Sequence, residues 1–330
     1  MAIRLFRIVV LILAVLLLGS CNVLQFIFGS VFPATLALVK AQADLSKLIA
    51  ANSGSSFNLR VVETGTTGYV VVSGSVQGSA PSMFFYDLDL KPKLSLTGAT
   101  APAGTGVMAD GNGQIKAGGT LYSPDLLTST AGGPVISGNF GSGVDGFILA
   151  NPTLDDAVDI SITPPNTLTF QHYQNAWTFL DTHSYALSAS PTSLQLYAVL
   201  DDGNPAGSVI FVVGQSQSGG NGDSFTGYFV SISKSYMVST SIASFEYTTA
   251  PRRDNLTQGT LGFANGSIFA YDSKASSLVR INPADASTQN SLPLGSNNKG
   301  QVKYAYSLSG GTFYTFDTDA RILTKYVAWW

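Results

Sequence analysis

Two stretches near the C-terminal end of this chain repeat one another without a gap. Gly266, Asp272, Ala275 and Leu278 recur as Gly311, Asp317, Ala320 and Leu323, a constant offset of 45 residues. At the same offset Ser267 matches Thr312, Arg280 matches Lys325, and an aromatic stands at Tyr271 and Phe316. Each unit reads as a strand, a tight turn opened by Asp, and a second strand led by Leu. Asp suits the corner because its carboxylate accepts backbone N–H bonds from the turn. A unit of this size cannot bury its apolar face alone and must stack against copies of itself.

Upstream the same grammar persists. From Phe57 onward apolar and polar residues alternate in short runs marked off by Gly, Ser, Pro and Thr, as half-buried strands do. Weaker echoes of the hairpin fall at 83–96, 146–162, 194–213 and 227–242, with a long interval before Gly146 and a short one before Gly227. No helix-length pattern interrupts them, which excludes a parallel α/β sheet. The units resemble the divergent β-propeller repeats of bacterial envelope proteins, the broad class with quinoprotein-type and NHL-type blades. The resemblance implies an all-β propeller of six four-stranded blades, or seven with one degenerate. Quinoprotein-type blades carry a Thr-Gly turn followed by Trp. The turns at Ser273–Ser276 and Thr318–Arg321 do not, so no cofactor is carried over.

The propeller is expected over residues 57–330. Strand 57–63 is expected to pair with the last blade and close the ring, which otherwise ends one strand short and leaves an open edge. Ahead of it, Pro33 suits a first helical turn. Leu36, Val39, Leu45, Leu48 and Ile49 recur at mostly helical intervals, which predicts a helix over about 34–51 within a linker spanning 21–56.

The first 20 residues have the parts of a secretory signal. Arg4 and Arg7 give the positive region. Ile8 to Leu18 is uninterruptedly apolar yet shorter than the roughly 20 residues that a bilayer requires. Leu18-Gly19-Ser20-Cys21 resembles the bacterial lipobox, and Cys21 is the single cysteine of the chain. That resemblance implies cleavage between Ser20 and Cys21, a diacylglyceryl thioether on Cys21, and acylation (commonly palmitate) of the new amino terminus. Asn22 in place of aspartate favours the outer membrane over the inner. The competing expectation is one uncleaved transmembrane helix from Ile8 to Phe32, since the chain stays apolar past Cys21.

Charged residues make up 11% of the chain against 45% hydrophobic, with 34 glycines and a net charge of −3. The absence of a basic run argues against nucleic acid as a partner. Candidate chemistry is sparse. His172 and His183 could begin a metal or general-base pair but read as solvent-facing strand residues. Asp110-Gly111-Asn112 reads as a hairpin turn rather than a calcium loop. Asp155 and Asp156, and Asp201 and Asp202, are loop carboxylates that an envelope hydrolase could use as acid and base. Arg252 and Arg253, in an expected loop, could meet an anionic partner. The expectation is a lipid-tethered binding or scaffold module for an envelope protein or glycan, without metal or cofactor. The alternative is a glycan- or peptide-cleaving enzyme.

Overall fold

The computed structural model describes residues 36–50, 56–63, 67–75, 79–102, 104–109, 113–131, 146–151, 156–163, 167–174, 178–187, 194–201, 207–217, 224–237, 251–294, 302–307 and 311–329. The lipobox with Cys21 lies outside them. Within them the chain folds as six four-stranded antiparallel units. Blade 1 is β2 (Ser56–Glu63), β3 (Gly68–Ser75), β4 (Ser82–Asp87) and β5 (Pro92–Leu96). Blade 2 has four strands of three residues each, β6 (Val107–Ala109), β7 (Ile115–Ala117), β8 (Thr120–Tyr122) and β9 (Ser129–Ala131). Blade 3 comprises β10 (Gly146–Asn151), β11 (Asp156–Thr163), β12 (Thr167–Gln174) and β13 (Thr178–Ala186). Blade 4 comprises β14 (Gln195–Leu200), β15 (Ser208–Ser216), β16 (Ser224–Ser233) and β17 (Arg252–Thr257), with a single-turn helix α1 (Lys234–Met237) after β16. Blade 5 runs β18 (Gly262–Ala264), β19 (Ser267–Asp272), β20 (Ser277–Ile281) and β21 (Thr288–Pro293). One residue pair, Leu256 with Asp272, joins β17 to β19 and so links blades 4 and 5. Blade 6 is β22 (Val302–Tyr306), β23 (Thr312–Asp317), β24 (Ile322–Trp329) and, from the other end of the chain, β1 (Leu36–Asp44).

The first strands of successive blades pack against one another. β2 touches β6 and β22, β14 touches β10 and β18, and β18 touches β22. They form the inner layer, the last blade meets the first, and the architecture is a β-propeller.

Residues 36–44 are therefore strand where the sequence predicts helix, and they, not 57–63, complete the last blade. β1 pairs antiparallel with β24 from Leu36 opposite Trp329 to Asp44 opposite Ile322, with a bulge between Val39 and Ala41. Strand 57–63 belongs to β2 and pairs with β3. Ala, Leu, Lys and Gln are good helix formers, but an unpaired β24 would present a row of open N–H and C=O groups, and tertiary pairing decides. Among the described residues of this stretch, helical bonding survives as one turn, where the Ile49 N–H donates to the Leu45 carbonyl at 2.9 Å.

The two C-terminal hairpins keep their 45-residue offset in three dimensions. Asp272 Oδ1 accepts the N–H groups of Lys274 and Ala275, and Asp317 Oδ1 those of Asp319 and Ala320, all at 2.8–3.0 Å. Each turn ends in a left-handed residue, Ser276 (φ 49°) and Arg321 (φ 59°). The blade count agrees with the sequence, but the units are drawn differently. The long interval before Gly146 holds blade 2, whose strands are too short to show a period. The echoes beginning at Leu194 and Gly227 belong to one blade.

The core is a series of layers between blades rather than one centre. In β15, Val209, Phe211 and Val213 face blade 3 while Ile210 and Val212 face blade 5. In β3, Val70 and Val72 face blade 6, and Tyr69 and Val71 face blade 2. Strands buried on both faces read as continuous apolar runs, as these do. At the seam that closes the ring, Phe316 of blade 6 is 0% exposed and meets Phe57 of blade 1 edge-on at 6.2 Å between centroids. Phe316→Ala is expected to destabilise the protein by about 3–5 kcal/mol. Leu38→Ser, at a position 41% exposed on β1, should stay within about 0.5 kcal/mol. Chemical denaturation of the two variants checks both values.

Candidate binding cleft

A cleft of about 690 Å³ opens where the β15–β16 end of blade 4 meets the β19–β20 turn of blade 5. Alternation along β16 builds its floor. Phe225 and Phe229 are buried toward blade 5, while Ser224, Thr226 and Tyr228 alternate with them and line the cleft, Tyr228 resting in part on the cluster between blades 3 and 4. Gly214 lies opposite Gly227 across β15 and β16. A Cβ at Gly214 would collide with the Thr226 carbonyl oxygen, so the close approach requires glycine there.

Polar side chains tie the walls together. The Ser224 hydroxyl donates to Ser273 Oγ at 3.0 Å, and Ser273 Oγ donates to the Asn255 carbonyl at 3.3 Å, which stitches blade 4 to blade 5. Gln217 Nε2 donates to Thr226 Oγ1 at 3.2 Å, and the Thr226 hydroxyl donates to Asp254 Oδ1 at 2.7 Å. Beneath this layer Tyr197 stacks on Phe225 at 3.6 Å, gives its O–H to Gln195 Oε1, and meets Ser216 Oγ at 3.0 Å. Arg252 and Lys274 supply the cationic groups of the lining, which contains no carboxylate among the described residues. Arg252 donates through Nε and Nη2 to Asp254 Oδ1 at 3.2 and 3.0 Å, a carboxylate 46% exposed beside the lining. The Thr226 hydroxyl and the Arg252 guanidinium hold the Asp254 carboxyl below the ordinary carboxylate range, against partial burial.

Of the residues singled out from sequence that lie among the described residues, Arg252 alone belongs to this cleft. Arg252 and Arg253 begin a strand, not a loop. Arg253 points the other way. It donates to Asp272 Oδ2 at 3.0 Å and to Thr288 Oγ1 at 2.8 Å, so blade 4 is clamped to the Asp turn of blade 5. Asp201 faces Lys234 at 2.6 Å, and Lys234 is buried, which makes this a structural ion pair. Asp156 begins β11 at the register position of Asn151. Asp155, Asp202 and Asp110–Asn112 lie outside the described residues, although β6 and β7 flank the last of these as a hairpin.

The histidines are not solvent-facing. Register sets His172 opposite Asp181 and His183 opposite Phe170, on the face that packs toward blade 4. His172 is 4% exposed, and Asp181 Oδ1 lies 3.3 Å from His172 Nδ1 and 3.0 Å from His183 Nε2. The carboxylate bridges two strands of one sheet. Among the described residues no three His, Cys, Asp or Glu side chains are grouped to hold a metal ion. Lys116 on β7 is fully buried, and desolvation draws its ammonium down to about 8.

Tyr228, Ser224 and Gln217 were not singled out from the sequence. Their one signal there is the polar alternation of Ser224, Thr226 and Tyr228 against Phe225 and Phe229, which marks a strand face without saying what it meets.

No protein-family model matches the chain, and no curated protein matches it in sequence. Among solved structures it is similar to hydrazine synthase of Kuenenia stuttgartiensis, with a TM-score of 0.46, 9% identity, and coverage of 84% of this chain and 97% of that one. It is similar also to the β-propeller domain of Myceliophteria thermophila Cps50 (Swd1), with a TM-score of 0.42, 11% identity and 84% of each chain covered. Raptor of Chaetomium thermophilum gives a TM-score of 0.46 at 8% identity, over 90% of this chain and 27% of that one. The assignment of the fold rests on strand order and closure rather than on these scores.

Arg253→Ala is expected to cost about 3 kcal/mol, because it leaves the buried Asp272 carboxylate without its partner. Arg252→Ala, at a side chain 58% exposed, should change stability by less than about 0.5 kcal/mol. Equilibrium unfolding of both variants separates the clamp from the cleft residue.

Proposed function

We propose that this protein is a lipid-anchored binding module of the bacterial cell envelope that holds a glycan in the cleft between blades 4 and 5. The observation that carries the reading is the composition of the lining among the described residues: hydroxyls and amides that both donate and accept, with a tyrosine ring. Sugar hydroxyls pair with such groups, and an aromatic face packs against the C–H face of a sugar ring. General acid–base cleavage needs a titratable group within hydrogen-bond reach of the scissile bond. Among the described residues the lining holds no acid or histidine, and the neighbouring Asp254 is engaged by Arg252 and Thr226, which supports binding over turnover.

The anchor belongs to the same proposal. Cys21 carries the lipid, cleavage follows Ser20, and the outer membrane is the favoured site. Two or more acyl chains hold a protein stably where one does not. β1 then follows the anchor within a short tether, which keeps the propeller near the membrane surface.

Binding of the full chain to purified envelope polysaccharide, followed by affinity electrophoresis, tests the cleft. Tyr228→Ala is expected to weaken retention by roughly five- to tenfold, and retention unchanged by that substitution would remove the cleft from the proposal. Intact mass of protein from native membranes tests the anchor. The expected species lacks residues 1–20 and carries diacylglyceryl mass on Cys21, and a full-length unmodified chain would replace the lipid with a transmembrane helix.

A further inference from the structure

We infer that the cleft selects an acidic saccharide, with a uronate carboxylate held by Arg252 and Lys274 while a sugar ring lies on Tyr228. This rests on the glycan reading above and narrows it to one substrate class.

Among the described residues the lining holds two cations, Arg252, which is paired with Asp254 beside it, and Lys274. The two cations come from different blades, Arg252 from β17 and Lys274 from the turn after β19.

The repeat shows that Lys274 is not a requirement of its turn. The equivalent position one blade later is Asp319, in a turn with the same Asp carboxylate bonds and the same left-handed residue. A position that accepts either sign of charge without altering the turn is free to be set by what the side chain faces. In blade 5 it lines the cleft and is cationic. Its backbone N–H is fixed by Asp272 at 3.0 Å, while its ammonium makes no ion pair among the described residues.

Arg252 is held ready for a planar anion. Asp254 takes its Nε and Nη2, and the Thr226 hydroxyl fixes Asp254 in turn. Nη1 makes no hydrogen bond among the described residues, so a second edge of the guanidinium can meet a carboxylate as a fork. A cleft of about 690 Å³ far exceeds the needs of a bare anion and suits a chain of sugars.

The test is calorimetric titration of the full chain with tetragalacturonate and tetramannuronate, against the neutral galactose and mannose tetrasaccharides and inorganic phosphate, for wild type, Lys274→Gln and Arg252→Gln. One acidic tetrasaccharide is expected to bind at least about tenfold more tightly than its neutral counterpart at low salt. That margin should shrink at high ionic strength and fall about tenfold in each variant, with neutral-sugar affinity unchanged. Equal affinity for acidic and neutral sugars, insensitive to both variants, would overturn the charge selection and leave the glycan reading standing. Phosphate binding as tightly as the uronates would mean a bare anion site and overturn the saccharide. Binding of none of the sugars would remove both readings together.

Discussion

The pairing of β1 with β24 is the constraint on which the rest depends. Without it the last blade has three strands and an open edge, and the seam between blades 6 and 1 loses Leu45 and Ile49, which are buried with Phe57, Tyr314 and Phe316. Arg321 reinforces the joint. Its carbonyl accepts the Leu45 N–H at 2.9 Å and its guanidinium donates to the Ile49 carbonyl at 3.2 Å. A ring of sheets buries each inner face only if every blade has a neighbour on both sides. The one non-local pairing that joins the two ends of the chain therefore sets the burial of all the others, at the cost in loop-closure entropy of bringing distant segments together.

Layered burial also explains the unusual composition. Central strands spend both faces on packing, so polar residues collect in turns and on outer strands, where Gly, Ser, Thr and Asn satisfy backbone geometry better than long charged side chains do. The few charges that enter interfaces are paired across strands or blades, as with Arg253 and Asp272 or Lys234 and Asp201. The cleft is one of the places where two blades leave their polar edges facing each other. Its chemistry follows from the same economy, with hydroxyls and amides throughout and cations at two positions that packing does not dictate.

Sequence reading succeeded where the physics is local. An Asp-led turn is recognisable because its hydrogen bonds run to residues two and three positions on, and the matched hairpins at Asp272 and Asp317 carried the architecture. It failed at blade 2, whose strands of three residues are shorter than any period can register, and at residues 36–44, where helix formers are drawn into a sheet by a partner far along the chain. The candidate carboxylates, histidines and arginines drew notice for their side-chain chemistry, but Asp201, His172 and Arg253 proved to be held by partners that only register and blade packing could supply.

The sequence by itself determined the repeat, the turn chemistry, the all-β class and the apolar run ahead of the single cysteine, since each is written in neighbouring residues. Tertiary structure alone decided which strand closes the ring, that His172 and Asp181 face each other, and that Arg252 and Lys274 share a cleft. The reason is physical. Turn and strand propensities act over a few residues, whereas closure, register and the meeting of side chains from separate blades depend on which buried faces find one another.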